Sequence, residues 1–210
     1  MSRTFQMTIG RAVGHFFALA AICGGVLAAI FWEVRVRGSS CGEVSVVEFA
    51  QVALLAAVSA GLFAAAAKLR RFRGGLLLMG GFFLCLVIRE NDRWLDAVYK
   101  GFWFPVALLA ALVAVVLAWR ERAGIRPCLA AVCRLDTLPY LLSGLVCLML
   151  FSRLFGSKML WQPVYGAEAA RTIKNVSEES LDRLAEALLA FWALLTIPRL
   201  AAAEREECHG

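Results

Sequence analysis

Long apolar runs alternate along the chain with short polar breaks. Six runs stand out, at about 12–32, 44–67, 74–94, 102–120, 137–155 and 179–199. Each approaches the roughly 20 residues that a helix needs to cross a hydrocarbon core of about 30 Å. The breaks carry turn chemistry or charge. Gly38-Ser39-Ser40-Cys41-Gly42 separates the first two runs, and Lys68-Leu69-Arg70-Arg71-Phe72-Arg73 the next pair. Pro105 and Pro139 fall in the first turns of segments four and five, where proline is tolerated, and Pro198 closes segment six. The expected fold is all-α: one polytopic membrane domain over residues 1–210, with six transmembrane helices.

Composition agrees. Of 210 residues, 61% are hydrophobic and 18% charged. Soluble domains run near half and a quarter, so a soluble globular domain is excluded, and a disordered chain more firmly. Arg3 and Arg11 before an apolar run resemble a signal peptide. The run from Ala12 to Trp32 is long for a signal core, however, and no small-x-small cleavage site follows, so it reads as a retained first span.

The net charge of +6 is carried mostly by arginine in short inter-segment loops. In a membrane protein this charge reads first as topology. Basic residues are not interleaved with aromatic ones outside the apolar runs, so no nucleic-acid partner is expected. The N-terminus, loops 68–73 and 120–136 and the C-terminus hold 12 of the 22 Lys and Arg, with tight clusters from Lys68 to Arg73 and from Arg120 to Arg134 that have little acid nearby. The other side mixes its cations with 11 of the 16 acids. The positive-inside rule then puts both termini in the cytoplasm. Trp32, Trp94, Trp103 and Trp161 would form an outer aromatic belt and Trp119 an inner one. The short, Ala/Leu/Arg-rich, nearly loopless build suggests a bacterial-type cytoplasmic membrane.

Segment length brings in the candidate chemistry. Segment three has only 15 uncharged residues between Arg73 and Arg89, about 22 Å of helix. To span, it must continue through Arg89-Glu90-Asn91-Asp92-Arg93. Segment five has 16 before Arg153, and segment six only 12, Ala187 to Pro198. Segment two carries Glu48 and Gln51 near its outer end. Segments one and four bring no charge, so they are expected to face lipid or a partner, either another membrane protein or a second copy.

A lone charge at mid-membrane costs about 2.5–3.5 kcal/mol on insertion scales, so these groups should face one another or water. Their spacing agrees. Arg89, Asp92, Arg93 and Asp96 fall within an arc of about 100° on a helix, and Glu179, Asp182, Arg183 and Glu186 repeat the i, i+3, i+4, i+7 spacing. The expectation is an outward-facing charged cavity between segments two, three, five and six. Its candidate ligand-binding residues are Glu48, Gln51, Arg89, Glu90, Asp92, Arg93, Asp96, Arg153, Lys174, Glu179, Asp182, Arg183 and Glu186. Lys174 lies in an expected outer loop, Gly156 to Ser177, that could touch anionic headgroups; Asn175 there looks like a cap for segment six.

Three functions fit this pattern. The first is binding or transport of a polar or charged small molecule or a lipid headgroup, with Glu48 or Glu186 carrying a proton or holding a cationic part. The second is a membrane-embedded enzyme on a lipid-linked substrate, with Glu90, Asp92 or Glu186 as acid and base. The third is a non-catalytic subunit or scaffold whose charges form a structural ion-pair network. Asp92 with Asp96, and Asp182 with Glu186, have the i, i+4 spacing that suits a hard divalent cation, but the adjacent arginines already neutralise them. Cys128 and Cys133 lack zinc spacing, the chain has only two histidines, and no nucleophile signature occurs. Neither a metal nor a cofactor is expected. Ala57, Gly61 and Ala65, with Gly74-Gly75 and Gly80-Gly81, form small-residue stripes for close helix packing. No inverted repeat is evident, which argues against a common transporter design.

Overall fold

The structure is a computed structural model that describes residues 9–36 and 46–208, the side chains of 46–48, 168 and 207–208 excepted. The expected break at Gly38 to Gly42 and the side chain of Glu48 therefore lie outside the described residues. Among those residues the chain is helical apart from short turns between helices, with no strand. The helices are α1 (Ile9–Val36), α2 (Val46–Lys68), α3 (Arg73–Glu90), α4 (Asp92–Leu95), α5 (Trp103–Arg120), α6 (Ile125–Arg134), α7 (Leu138–Val146), α8 (Ser152–Phe155) and α9 (Lys158–Cys208). Five stretches are long and apolar enough to cross a membrane: Ile9–Val36, Phe49–Lys68, Trp103–Arg120, Leu138–Ala167 and Ala169–Glu206. Segment three folds as α3, whose 18 residues include Arg73, Arg89 and Glu90, and it stands outside these five.

Three local expectations are corrected. First, α3 does not run on through Arg93. It ends at Glu90, and Asn91 leaves helical geometry at φ −96°, ψ 20°, with its Nδ2 donating to the Val87 carbonyl at 2.8 Å. The asparagine side chain thus adds a second donor to a carbonyl that already accepts the Asn91 amide at 3.2 Å, a local bond that competes with regular helix. Second, the loop expected over 156–177 is helical from Lys158 onward. Its one corner is Gly166, at φ 76° and ψ 171°, a conformation open essentially to glycine alone. Third, Asn175 lies inside that helix rather than capping it. The Ala-, Arg- and Lys-containing stretch before it has good helix propensity and carries the helix through.

The chain packs as two units, Met1–Gln51 with Pro139–Leu189, and Val52–Leu138 with Ala190–Gly210. In the second unit α3 is the centre, and its glycines set the packing. A Cβ on Gly81 would lie 2.1 Å from the Ala114 Cβ, and one on Gly75 2.3 Å from the Cys128 Cβ. Glycine lets α5 and α6 approach α3 at backbone distance. Ser59 on α2 donates to the Gly80 carbonyl at 2.9 Å, and Phe83 stacks on the fully buried Trp192. Thr137 and Thr196, both buried, share a hydrogen bond of 2.8 Å.

In the first unit the α7–α8 arm packs on the first half of α9. Gly144 makes the approach possible, since a Cβ there would meet Leu189 Cδ2 at 2.8 Å. The arm is interrupted by a π-helical turn, Cys147–Phe151. Such a turn widens the backbone by one residue and frees carbonyls. Ser152, fully buried, donates its hydroxyl to the Leu148 carbonyl in that turn at 2.8 Å. On α1, His15 Nδ1 pairs with the Tyr140 hydroxyl at 2.8 Å.

Candidate functional site

The charges of the first unit collect where the α7–α8 arm, α1 and the start of α2 meet α9. The π-turn ends at Phe151, so Ser152 and Arg153 open α8 and Gly156 closes it. A Cβ on Gly156 would lie 2.8 Å from the Glu178 Cβ. That bare backbone brings Arg153 within reach of α9. Its Nη2 donates to Asp182 Oδ2 at 2.9 Å, and its Nη1 donates to Glu178 Oε1. Lys174 Nζ meets the other Glu178 oxygen at 2.9 Å, one turn earlier on the same helix. The result is a chain of alternating sign, Lys174, Glu178, Arg153, Asp182.

Arg183, next to Asp182, points into a second set. Its Nη2 lies 2.9 Å from Glu33 Oε2, and its Nε donates to Gln51 Oε1 at 3.3 Å. Glu33 is 0% exposed and Arg183 5%. The Glu33 contact is an ion pair outside hydrogen-bond alignment, so Glu33 Oε1 and Arg183 Nη1 stay buried without a hydrogen-bond partner among the described residues. Glu186, one turn further along α9, is also fully buried. Burying ions costs several kcal/mol each, and only pairing with good geometry offsets it.

The expected site residues thus divide. Gln51, Arg153, Lys174, Asp182 and Arg183 come together as described. Glu179 is half-buried on the same helix, and Glu48 is outside the described side chains. Arg89, Glu90, Asp92, Arg93 and Asp96 do not form one helical stripe, because the helix stops at Glu90. Arg89 Nη2 instead pairs with its neighbour Glu90 at 2.5 Å. Asp92 and Arg93 are exposed, and Asp96 Oδ1 accepts the Gly101 amide at 3.0 Å, closing a turn in which Gly101 has φ 90°.

Segment one, expected to bring no charge, supplies Glu33, the most deeply buried partner of Arg183. Counting the run only up to its last uncharged residue hid this. The helix continues past Trp32 to Val36, and Glu33 sits inside that last turn. Glu178 was also missed as a partner, and the signal for it was Lys174 four residues earlier. In the second unit, Asp136 and Arg199, both expected at the cytoplasmic side, form another ion pair.

Among the described residues no group of three or more His, Cys, Asp or Glu is arranged to hold a metal ion. The cluster's chemistry is that of guanidinium forks and carboxylates, suited to holding anionic and cationic groups at fixed spacing. No known family, curated protein or solved structure matches the chain.

Proposed function

We propose that the cluster around Arg183 receives a polar ligand bearing an anionic group, either a small molecule or a phosphate-containing lipid headgroup, within a multi-pass membrane protein of six crossings. In this reading both termini lie in the cytoplasm, the membrane is of the bacterial cytoplasmic type, and the cluster faces outward. The observation that carries it is the Arg183 guanidinium. Two of its nitrogens are engaged with Glu33 and Gln51, while the buried Nη1 has no hydrogen-bond partner among the described residues. A buried donor left unmatched costs about 1–3 kcal/mol, more when charged, and an acceptor supplied by a ligand removes that cost. Glu33 Oε1, in the same state, offers an acceptor for an amine or hydroxyl on the same ligand. Glu186 and Glu48, three residues before Gln51 on α2, are the further carboxylates the site would use.

The test is thermal melting of the purified full chain with phosphatidylethanolamine or with diacylglycerol, which lacks the headgroup. The reading expects stabilisation by the first alone, lost in Arg183→Gln. Cysteines at Asp182 and Glu186, in a cysteine-free background, should also react with a membrane-impermeant thiol reagent in intact cells. Equal melting with both lipids, and no labelling at either cysteine, would overturn it.

A second reading has its own support. The series Lys174, Glu178, Arg153, Asp182 is a run of pairs that neutralise one another between α8 and α9. In this reading the charges form a dry network that fixes helix register in a membrane subunit or scaffold. Unlabelled cysteines beside a reactive outer-loop control at Ser39 would favour it.

A further inference from the structure

Two loops distant in sequence meet in the second unit. A Cβ on Gly124 would lie 2.8 Å from the Arg71 carbonyl oxygen, and one on Gly74 2.2 Å from the Glu121 carbonyl oxygen. Only glycines at these positions let the turn after α2 lie against the turn after α5. The contact joins the end of α2 with Lys68 and the following turn with Arg70 to the turn that carries Arg122, from which α6 runs on with Arg126 and Arg134, all five exposed. Three acids of the same region are engaged. Glu121 pairs with Arg73 at 3.4 Å, Asp136 pairs with Arg199, and Glu204 accepts the Arg71 amide at 3.0 Å. A positive surplus is left on that surface.

The surface is not uniformly polar. On α6, Cys128 and Val132 are buried against the unit, while Leu129 is 43% exposed between Arg126 and Arg134. Trp119 is 66% exposed, with the Arg122 guanidinium over its ring at 5.9 Å. Cations interleaved with exposed Trp and Leu are the chemistry of a side that sits among lipid headgroups. A soluble acidic partner would explain the cations but not the exposed Trp and Leu beside them.

We infer that the surface formed by the turn after α2, the turn after α5 and α6 binds the headgroup plane of a leaflet rich in anionic phospholipid. Each basic side chain near an anionic surface contributes about 1 kcal/mol, roughly fivefold in binding, so three together give about a hundredfold. The interaction is electrostatic at an exposed surface and weakens with salt.

The experiment is native mass spectrometry of the full chain, exchanged from detergent against equal phosphatidylglycerol and phosphatidylcholine. The wild type should retain phosphatidylglycerol at least tenfold over phosphatidylcholine, and the preference should fall several-fold at high salt. R122Q/R126Q/R134Q should lose the preference, while K158Q, a cation on α9 outside this surface, should keep it. Should the triple variant fail to accumulate, the single R126Q and the wild-type salt series decide alone. Equal retention of both lipids by the wild type would overturn the inference. So would displacement of phosphatidylglycerol by millimolar inorganic phosphate, which marks a free-anion site. Co-purification of an acidic protein without lipid preference would overturn it as well.

Discussion

Glu33, in the last turn of α1, and Arg183, near the middle of α9, form a buried ion pair with 2.9 Å between Oε2 and Nη2. A pair this deep is poor evidence for net stability, because desolvation offsets most of the attraction. Its asymmetry is what matters. Removing Glu33 leaves a buried guanidinium whose remaining hydrogen-bond partner among the described residues is Gln51, so Glu33→Gln should destabilise the chain by about 3–5 kcal/mol. Replacing both with methionine removes the charges together and should recover most of that loss. Melting of the three variants in detergent checks it. A double variant no more stable than Glu33→Gln would mean that the pair does more than neutralise itself.

The approach of α8 to α9 depends on one missing methyl group. Gly156 has an ordinary backbone conformation, so alanine there is not strained in itself. Its Cβ would instead overlap Glu178, at 2.8 Å from Cβ and 2.9 Å from Oε2. Gly156→Ala should cost about 1–3 kcal/mol by overpacking. It should also separate Arg153 from Glu178, so that Arg153→Gln adds little on top of it. A double-mutant cycle measures that coupling, and strict additivity would contradict the proposed arrangement.

The apolar runs were legible because a span depends on composition over about 20 residues, which any window detects. Trp103–Arg120 and Ile9–Val36 fall where the pattern put them, apart from a turn at each end of α1. The small-residue stripes were legible for a similar reason: Gly80-Gly81 and Gly74-Gly75 have no other use in a span, and they do sit at close contacts. The partners of the charges were not legible. Helical spacing predicts which residues share a face, but it assumes that the helix continues. Asn91 leaves helical geometry, with its side chain bonded back to the Val87 carbonyl, and the continuous stripe from Arg89 to Asp96 is broken there. Nor does spacing within one segment say which other helix supplies the counter-charge. Arg183 finds Glu33, a residue that uncharged-run counting had placed in a loop.

The closest helix contact in the second unit gives a reciprocal test. A Cβ at Gly81 would lie 2.1 Å from that of Ala114. Gly81→Ala should therefore destabilise by about 1–3 kcal/mol, as forced methylenes do in tight packing. Ala114→Gly should be nearly neutral, apart from up to about 1 kcal/mol of helix propensity. Combined, the two should restore much of the loss, because the methyl has only changed sides. Melting of the pair against each single variant measures the recovery. If the double variant is as weak as the sum of the singles, α3 and α5 do not meet at this point.

Cys128 on α6, between the spans Trp103–Arg120 and Leu138–Ala167, carries the pH dependence that can be read with a sign. Burial pushes its thiol up to about 12, because the thiolate would lose its hydration there. In the unfolded chain the thiol ionises at its ordinary value near 8.5. The folded state therefore holds a proton that the unfolded state releases. The resulting stability is fully present below about pH 8.5 and is lost as pH rises toward 12. Melting between pH 8 and pH 11 should fall more steeply for the wild type than for Cys128→Ala, which lacks the titrating group. The variant starts lower, because its methyl leaves a void against Gly75, yet its slope should be shallower. At neutral pH a maleimide should modify the exposed Cys133 and leave the buried Cys128 untouched, since thiolate is the reactive form. Parallel pH slopes for wild type and variant would show that Cys128 is hydrated in the folded protein, and with that the close packing of α6 on Gly75 would fail.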